Sequence, residues 1–540
     1  METGPDPRRA GRASVGRQQC GYLRVRRACR LGGHVPLAVQ PEHQHALLAG
    51  ALAIGGFAPF NFWPLPLLSL AVLFALLLRT SSRRAGFRIG FAWGLGFFLT
   101  GVSWIYISLS VYGGMSMGLA GLATLMFCSL MALLPALVGA LSAPASGAES
   151  APAFATLRLL LGLPLLWGLS EWVRGWIFTG FPWLSLGYSQ VPASPLAGYA
   201  PVLGVYGVSF VMALIAALLA WGLAPRRQPA LRAWALVAVL VLTIAGQALR
   251  SVVWTTPLGA PTTVALLQGN VPQNLKWQPG KTRATLDSYA RLAAASPAQL
   301  IVLPETALPL FESALPDADR ARLATIGRQN GGDLLAGLPT GSLDGAYYNS
   351  VISLGSAPSQ RYHKTHLVPF GEYIPLKAVW GWVITVLHIP LSDFARGAPD
   401  QRPLAVGGQQ VAVNICYEDA FGEEIIRQLP AATVLVNVSN LAWFGDSLAP
   451  WQHAQMSQMR ALETGRMMLR ATNTGLTAII DTRGRLLASL PPFTQGSLGG
   501  TIQGYAGSTP YARWGNAAVL GVWGVLATGL GLLACFKPRP

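Results

Sequence analysis

Charge is scarce in this chain. Only 11% of its 540 residues are Asp, Glu, Lys or Arg, against 52% hydrophobic, and the mean hydropathy is +0.42. That balance excludes an ordinary soluble domain and a disordered chain, and it points to a membrane protein. Acid is scarcer still, 22 Asp and Glu against 39 Lys and Arg, for a net charge of +17. The five cysteines, Cys20, Cys29, Cys128, Cys416 and Cys535, are too few and too scattered for a disulfide framework. There is no Walker phosphate loop and no Gly-x-Ser-x-Gly elbow, so the signatures of an ATP-driven pump and of a serine lipase are missing. His363, His366 and His453 lack metal-ligand spacing, and neither a metal nor a cofactor is inferred. Residues 1–44 carry no apolar core behind a short basic start, so they read as a disordered cytoplasmic tail rather than a cleaved signal peptide.

What is plentiful is apolar sequence. Stretches near 45–62, 64–79, 89–109, 115–142, 152–170, 196–223, 232–249 and 516–536 approach the span requirement of about 20 residues. The first two are short or broken by Gly55, Gly56 and Pro59 and read as a helical hairpin. The basic excess then falls into place. Between 262 and 505 there are 18 Lys and Arg against 17 Asp and Glu, so that segment is near neutral. The surplus sits in eight arginines before residue 31, in Arg79, Arg83, Arg84 and Arg88, in Arg226, Arg227 and Arg232, and in Lys537 and Arg539. These clusters lie at both termini and on alternate loops, as the positive-inside rule requires of eight spans with cytoplasmic ends. The segment 251–509 is then extracytoplasmic, and nucleic acid is not needed to explain the charge. The expected division is a tail over 1–44, spans one to seven over 45–250, an inserted domain over 251–509, and span eight with a cytoplasmic end over 510–540.

From Thr262 the pattern changes to short apolar runs between turn signals. Strands are expected at 264–267, 300–303, 333–336, 350–354, 411–415, 434–438 and 476–480, with helices at 281–295, 317–329 and 451–466. Alternation of this kind implies a layered α/β domain, whose active groups sit at strand ends. Three chemically useful residues fall there: Glu305 in Pro304-Glu-Thr306, Lys364 in His363-Lys-Thr365, and Cys416 at the end of Val411-Ala-Val-Asn-Ile-Cys416. Each has a bland reading, as a first-turn carboxylate, a loop cation and a small buried hydrophobe respectively. Together they suit acyl transfer through a thioester: a carboxylate to take the thiol proton, a thiolate to attack, and an ammonium to face the oxyanion. Glu372 and Glu418 lie close by in sequence, to position the ammonium or to carry a second proton.

This triad resembles that of the carbon–nitrogen hydrolase (nitrilase) superfamily. The surrounding words, Gln268-Gly-Asn-Val-Pro-Gln273 with Lys276-Trp277, Lys364-Thr-His-Leu-Val-Pro-Phe-Gly-Glu-Tyr-Ile-Pro375, Ile415-Cys-Tyr-Glu418, Ala442-Trp-Phe-Gly-Asp446 and Pro450-Trp-Gln-His453, are similar to the bacterial apolipoprotein N-acyltransferase family. So are Glu171-Trp-Val-Arg-Gly-Trp-Ile-Phe-Thr-Gly-Phe-Pro-Trp183 and Gly187-Tyr188 in the apolar part. The likeness extends over about 45–536. It implies a polytopic α-helical membrane protein of about eight spans with an inserted αββα nitrilase-like sandwich outside the cytoplasm. The implied setting is a bacterial inner membrane, with the catalytic domain in the periplasm. The implied reaction moves an acyl chain from a phospholipid to the α-amino group of a diacylglyceryl-cysteine apolipoprotein, with Cys416 as nucleophile, Glu305 as base and Lys364 as oxyanion cation. Glu372, Tyr417 and Glu418 would support the site, and Trp277 would lie on the substrate side. One departure is Leu441, where the family usually has Asp.

The run 379–391, with Trp380 and Trp382, is too apolar for an exposed loop and reads as an arm that dips into the outer leaflet to admit lipid. Glu171 and Arg174, spaced i, i+3 near the outer end of span five, are expected to pair; Arg174 holding a lipid phosphate is the second reading. Two other function classes stay open: a membrane-anchored amidase with the same triad, which would end on water, and a transporter or receptor with an enzyme-like outer domain. Seven spans ahead of the domain exceed what an anchor needs, and charges inside the spans are too few to mark a solute path.

Overall fold

The computed structural model describes residues 41–143, 156–224, 227–374 and 393–535. Most of the expected tail and the whole arm with Trp380 and Trp382 lie outside the described residues. Helices occupy each apolar stretch: α1 (Pro41–Leu52), α2 (Pro64–Leu77), α3 (Arg83–Gly101), α4 (Met117–Ser142), α5 (Leu163–Arg174), α6 (Ala200–Gly222), α7 (Pro229–Leu249) and, after the inserted domain, a final helix at Ala517–Cys535. The first begins at Pro41, inside the segment assigned to the tail, because proline suits the first helical position. Among the described residues three helices, Met117–Ser142, Pro195–Gly222 and Pro229–Leu249, are long and apolar enough to cross a membrane, and Arg83–Gly101 with Ile105–Tyr112 makes a fourth if that pair, bent by 58°, is one span.

Small residues bring α3 and α4 together. A Cβ on Gly86 would meet the Gly139 carbonyl oxygen at 2.2 Å and one on Gly90 the Pro135 oxygen at 2.2 Å, while one on Gly94 would lie 2.9 Å from the Ala132 Cα. The i, i+4 spacing puts all three glycines on one face, where the helix backbones approach closely.

The inserted segment folds by the period-two logic of its strands. One six-stranded sheet runs in the order β12 (Gly496–Gly507), β1 (Thr255–Gln268), β2 (Leu300–Val302), β3 (Asp333–Gly341), β4 (Tyr347–Gly355), β5 (Arg361–His363), and a second in the order β11 (Leu486–Leu490), β10 (Thr477–Ile480), β9 (Met468–Thr472), β8 (Val434–Ser439), β7 (Gln409–Ile415), β6 (Leu404–Val406). Alternate residues of each face the other sheet: Val264, Leu266, Leu300 and Val302 from the first meet Val413, Ile415, Val436 and Val438 from the second. The intervening residues turn outward. On the first sheet Leu267, Ile301 and Leu334 pack on helices Pro279–Ala294 and Asp317–Arg328. On the second, Ala412, Leu435 and Met468 pack on Ala461 of helix Ala449–Thr464. The result is the αββα sandwich, with twelve strands among the described residues rather than seven. Helix 449–464 is buried on both sides because its far face rests on the membrane helices. There Gln452 Nε2 donates to the Gly101 carbonyl (3.0 Å), Gln455 Nε2 to the Val191 carbonyl (3.1 Å), and Glu463 Oε1 accepts from the Val205 amide (2.8 Å).

Candidate active site

Strand ends converge where the two sheets meet. Pro304-Glu305-Thr306 follows β2 (Leu300–Val302), Lys364 follows β5 (Arg361–His363), Cys416 follows β7 (Gln409–Ile415) and Asn440 follows β8 (Val434–Ser439). Lys364 Nζ lies 3.4 Å from Glu305 Oε1 and 2.9 Å from Glu372 Oε2. Asn349 on β4 donates to both carboxylates at 2.8 Å, and the Asn440 amide donates to Glu305 Oε2 at 2.8 Å. Glu305 is thereby fixed by three donors, and its charge acts on the half-buried Cys416 thiol. Burial raises the thiol well above the ordinary cysteine range; Glu305 adds to that, and Lys364 pulls against it. The resting sulfur is therefore a thiol, which needs a base. At Lys364 burial disfavours the charge, but Glu372 and then Glu305 outweigh it and hold the ammonium protonated.

Cys416 takes φ +54°, the left-handed region that costs a side-chain-bearing residue energy. Two networks pin it. Glu418 accepts from the amides of Ile415 (2.6 Å), Thr365 (2.6 Å) and His366 (3.1 Å) and from the Tyr362 hydroxyl (3.1 Å). It ties the Lys364 loop to the cysteine elbow, which makes it a positioning group; its acceptor sites are filled, so it is not placed as a second proton carrier. From below, Arg470 Nη2 donates to His453 Nδ1 (2.9 Å), which leaves the proton on Nε2 to donate to the Cys416 carbonyl (3.0 Å). Burial, then Arg470, hold His453 well below its ordinary range, so the ring is neutral. Asn437 also donates to that carbonyl, at 3.3 Å. Arg470 in turn sits 3.4 Å from Asp419, a carboxyl that burial raises to about 6 against Arg470's opposing pull.

A further cation stands beside the site. Lys276 is buried, its Nζ donates to the Glu305 carbonyl oxygen at 3.2 Å, and burial draws it down to about 8 against the pull of Glu305 and Cys416. Trp277 follows it, half-buried. The sequence quoted Lys276 only as part of a motif; its burial needed the fold. Asn349 and Asn437 had a signal, a polar residue in an otherwise apolar strand.

The apolar part of the chain completes the walls. Tyr417 donates to the Gly180 carbonyl at 2.8 Å, and His366 Nε2 lies 2.9 Å from the Thr179 carbonyl. Ser108 donates to the Trp443 carbonyl at 2.7 Å and Trp104 packs edge-on to Phe444 at 4.6 Å. Leu441 is buried with its side chain against Gly475. Glu171 and Arg174 do not pair as expected. Arg174 donates to the Phe181 carbonyl (2.8 Å) and to that of Trp183, while Glu171 accepts from Trp167 (3.1 Å) and the Leu186 amide (3.0 Å). The loop after α5 folds back and offers each group closer partners than the other; Arg174 is 4% exposed, so the surface needed for a lipid phosphate is absent.

A thiol, a carboxylate and an ammonium at the strand ends of an αββα sandwich define a carbon–nitrogen hydrolase fold, here seated on apolar helices. Comparison agrees on both halves: residues 49–218 match the apolipoprotein N-acyltransferase N-terminal domain and residues 263–511 the carbon–nitrogen hydrolase domain. The apolipoprotein N-acyltransferase of Nitrosomonas europaea is 52% identical over 92% of this chain and 97% of its own length, and that of Methylococcus capsulatus 45% identical over 88% and 93%. A solved structure of a mutant of the Nesterenkonia AN1 amidase, of the nitrilase superfamily, aligns with 49% of this chain and 98% of its own at 21% identity and TM-score 0.37. The chain belongs to the apolipoprotein N-acyltransferase family and is an N-acyltransferase.

Proposed function

We propose that the protein transfers an acyl chain from a phospholipid to the terminal amine of a diacylated apolipoprotein, by way of a thioester on Cys416. The observation that carries this reading is a cysteine in a strained elbow beside the fixed carboxylate of Glu305, with the Lys364 ammonium on the same carboxylate. Glu305 takes the thiol proton as Cys416 Sγ bonds to the ester carbonyl carbon, and Lys364 faces the oxygen that becomes negative. Collapse breaks the carbon–oxygen bond, and Glu305 returns the proton to the glycerol oxygen, so a lysophospholipid leaves. The apolipoprotein amine then attacks the thioester, Glu305 accepts its proton, and the carbon–sulfur bond breaks to restore the thiol. Trp277 stands on the substrate side, and Glu372, Tyr417 and Glu418 hold the frame.

The same reading places eight spans in a bacterial inner membrane, both termini in the cytoplasm and residues 251–509 in the periplasm. The near-neutral domain and the arginines of the alternate loops support it. A reporter fused after residue 540 that is active only in the cytoplasm is the expected result; activity only in the periplasm reverses the orientation.

Intact mass after incubation of purified protein with phospholipid tests the chemistry. One hydroxylamine-labile acyl adduct is expected, absent from Cys416→Ala and discharged by a diacylated lipopeptide with a free amine. An active protein that forms no adduct overturns the thioester, and an adduct that clears into water with no preference for the amine supports the amidase reading.

A further inference from the structure

His366 takes no part in the thiol chemistry, yet it stands where the apolar half meets the cysteine elbow. Its ring stacks on Phe421 with centres 3.6 Å apart and meets Tyr417 edge-on at 5.8 Å. Both ring nitrogens face acceptors: Nε2 lies 2.9 Å from the Thr179 carbonyl oxygen and Nδ1 lies 2.9 Å from Glu424 Oε1. A carbonyl only accepts, so Nε2 carries a proton. A neutral imidazole has a single N–H, and its bare Nδ1 would then oppose an ionised carboxylate, lone pair to lone pair. The Nδ1 contact therefore needs a second proton, held by the ring as imidazolium or by Glu424 as carboxylic acid. Glu424 Oε2 is buried with no hydrogen-bond partner among the described residues, so His366 is the group that holds this carboxyl.

The segment at the other end of the ring is strained. Phe178 at φ +53° and Thr179 at φ +78° lie in the left-handed region, which side-chain-bearing residues keep only where the surroundings fix them. Phe178 is 84% exposed and Trp176 54%, so burial of their side chains does not supply the fixing. Among the described residues two side chains of the sandwich hydrogen-bond to it: His366 to the Thr179 carbonyl, and Tyr417, next to Cys416, to the Gly180 carbonyl at 2.8 Å. The other charges near the ring are engaged elsewhere. Lys364 is turned to Glu305 and Glu372, and Glu418 is filled by Tyr362 and by amides that include that of His366. Glu423 accepts from the Asn516 amide at 2.8 Å, and Arg174 donates to the carbonyls of Phe181 and Trp183.

We propose that His366 and Glu424 are positioning residues for acyl transfer, in which the proton they share fixes the segment 177–180 against the elbow of Cys416. When that proton leaves, one N–H remains for two acceptors. The carboxylate takes it, since a charge-assisted bond is the stronger, and the Thr179 carbonyl is released. The part played in transfer rests on the reading of Cys416 as nucleophile; the latch itself does not.

Glu424→Gln separates the contact from the proton. Its amide donates to Nδ1 of a neutral ring while Nε2–H keeps the Thr179 carbonyl, so both bonds stand with nothing to titrate. A nitroxide on Phe178→Cys in the full-length protein, with the five native cysteines replaced by alanine, reads the segment without Cys416. With His366 and Glu424 intact its mobility should rise between about pH 6 and about pH 9. It should stay low throughout in Glu424→Gln and high throughout in His366→Phe, which keeps the stack and loses the donor. In protein that keeps Cys416, the ratio of wild-type to Glu424→Gln acyl transfer should fall about tenfold over the same range; the titration of the acceptor amine cancels in that ratio. Mobility that stays flat with the pair intact, or that rises equally in Glu424→Gln, overturns the latch. The expected mobility with a constant transfer ratio overturns its part in transfer. Transfer by Cys416→Ala would sink the nucleophile and leave the nitroxide result standing.

Discussion

The reactivity we propose for Cys416 depends on residues that take no part in the bond-making steps proposed for it. His453 is neutral and donates to the Cys416 carbonyl, so its loss releases an elbow held in a costly conformation. His453→Ala should slow both acyl transfer and iodoacetamide alkylation of Cys416 about tenfold, the worth of one buried hydrogen bond. His453→Gln, which keeps a donor, should recover part of both; equal loss in the two variants would show that the bond is not what matters. Lys276 acts through charge. It titrates near 8, and its ammonium favours the thiolate, so the help it gives Cys416 is present below that pH and fades above it. The alkylation rate of the wild type should therefore show an inflection near pH 8 on top of the thiol's own rise. In Lys276→Met that inflection should vanish and the rate at pH 7 should fall; an unchanged profile would remove Lys276 from the site's electrostatics.

Helices and strands differ in how much of themselves they disclose. The helices were legible because each is a long apolar run, although their packing was not. Gly86, Gly90 and Gly94 look like generic helix weakeners until α4 is seen to press its backbone against them. Gly90→Ala should lower the unfolding midpoint, at a cost of about 1–3 kcal/mol for overpacking. Gly121→Ala in α4, where a Cβ meets nothing within 4 Å, should be neutral or raise it, because alanine is the better helix former. Seven strands showed in the sequence through apolar runs. The five it hid have physical reasons: β12 (Gly496–Gly507) is rich in glycine and partly exposed, β11 (Leu486–Leu490) is largely exposed, β9 (Met468–Thr472) carries Arg470, and β5 and β6 are three residues each. Their pairing comes from neighbours far away in the chain, such as β1 for β12, and no local window contains that.

Across the whole molecule, the membrane helices and the sandwich form one site. Trp183 packs on His453 with the rings tilted by 33° and their centres 5.5 Å apart, and it donates to Gln452 at 2.8 Å, so a residue of the apolar half braces the ring that holds the Cys416 carbonyl. Trp183→Leu should lower both acyl transfer and Cys416 alkylation about tenfold, through lost bracing worth roughly one aromatic contact and one hydrogen bond. Alkylation at the wild-type rate would show that the two halves are not coupled. By itself the sequence determined the class of the chain, since composition sets which solvent a surface can face. It also put Glu305 and Cys416 at the ends of apolar runs that became β2 and β7, whereas Lys364 follows β5, a strand it did not disclose. It read Glu171 and Arg174 as partners from spacing, and there it failed, because backbone carbonyls from a loop that folds back supply nearer partners than three residues of helix. Only the tertiary structure decided that, along with the roles of Lys276, Asn349, His453 and Arg470. A buried charge or hydrogen bond is defined by groups that are distant in sequence and meet only when the sheets, helices and loops are packed.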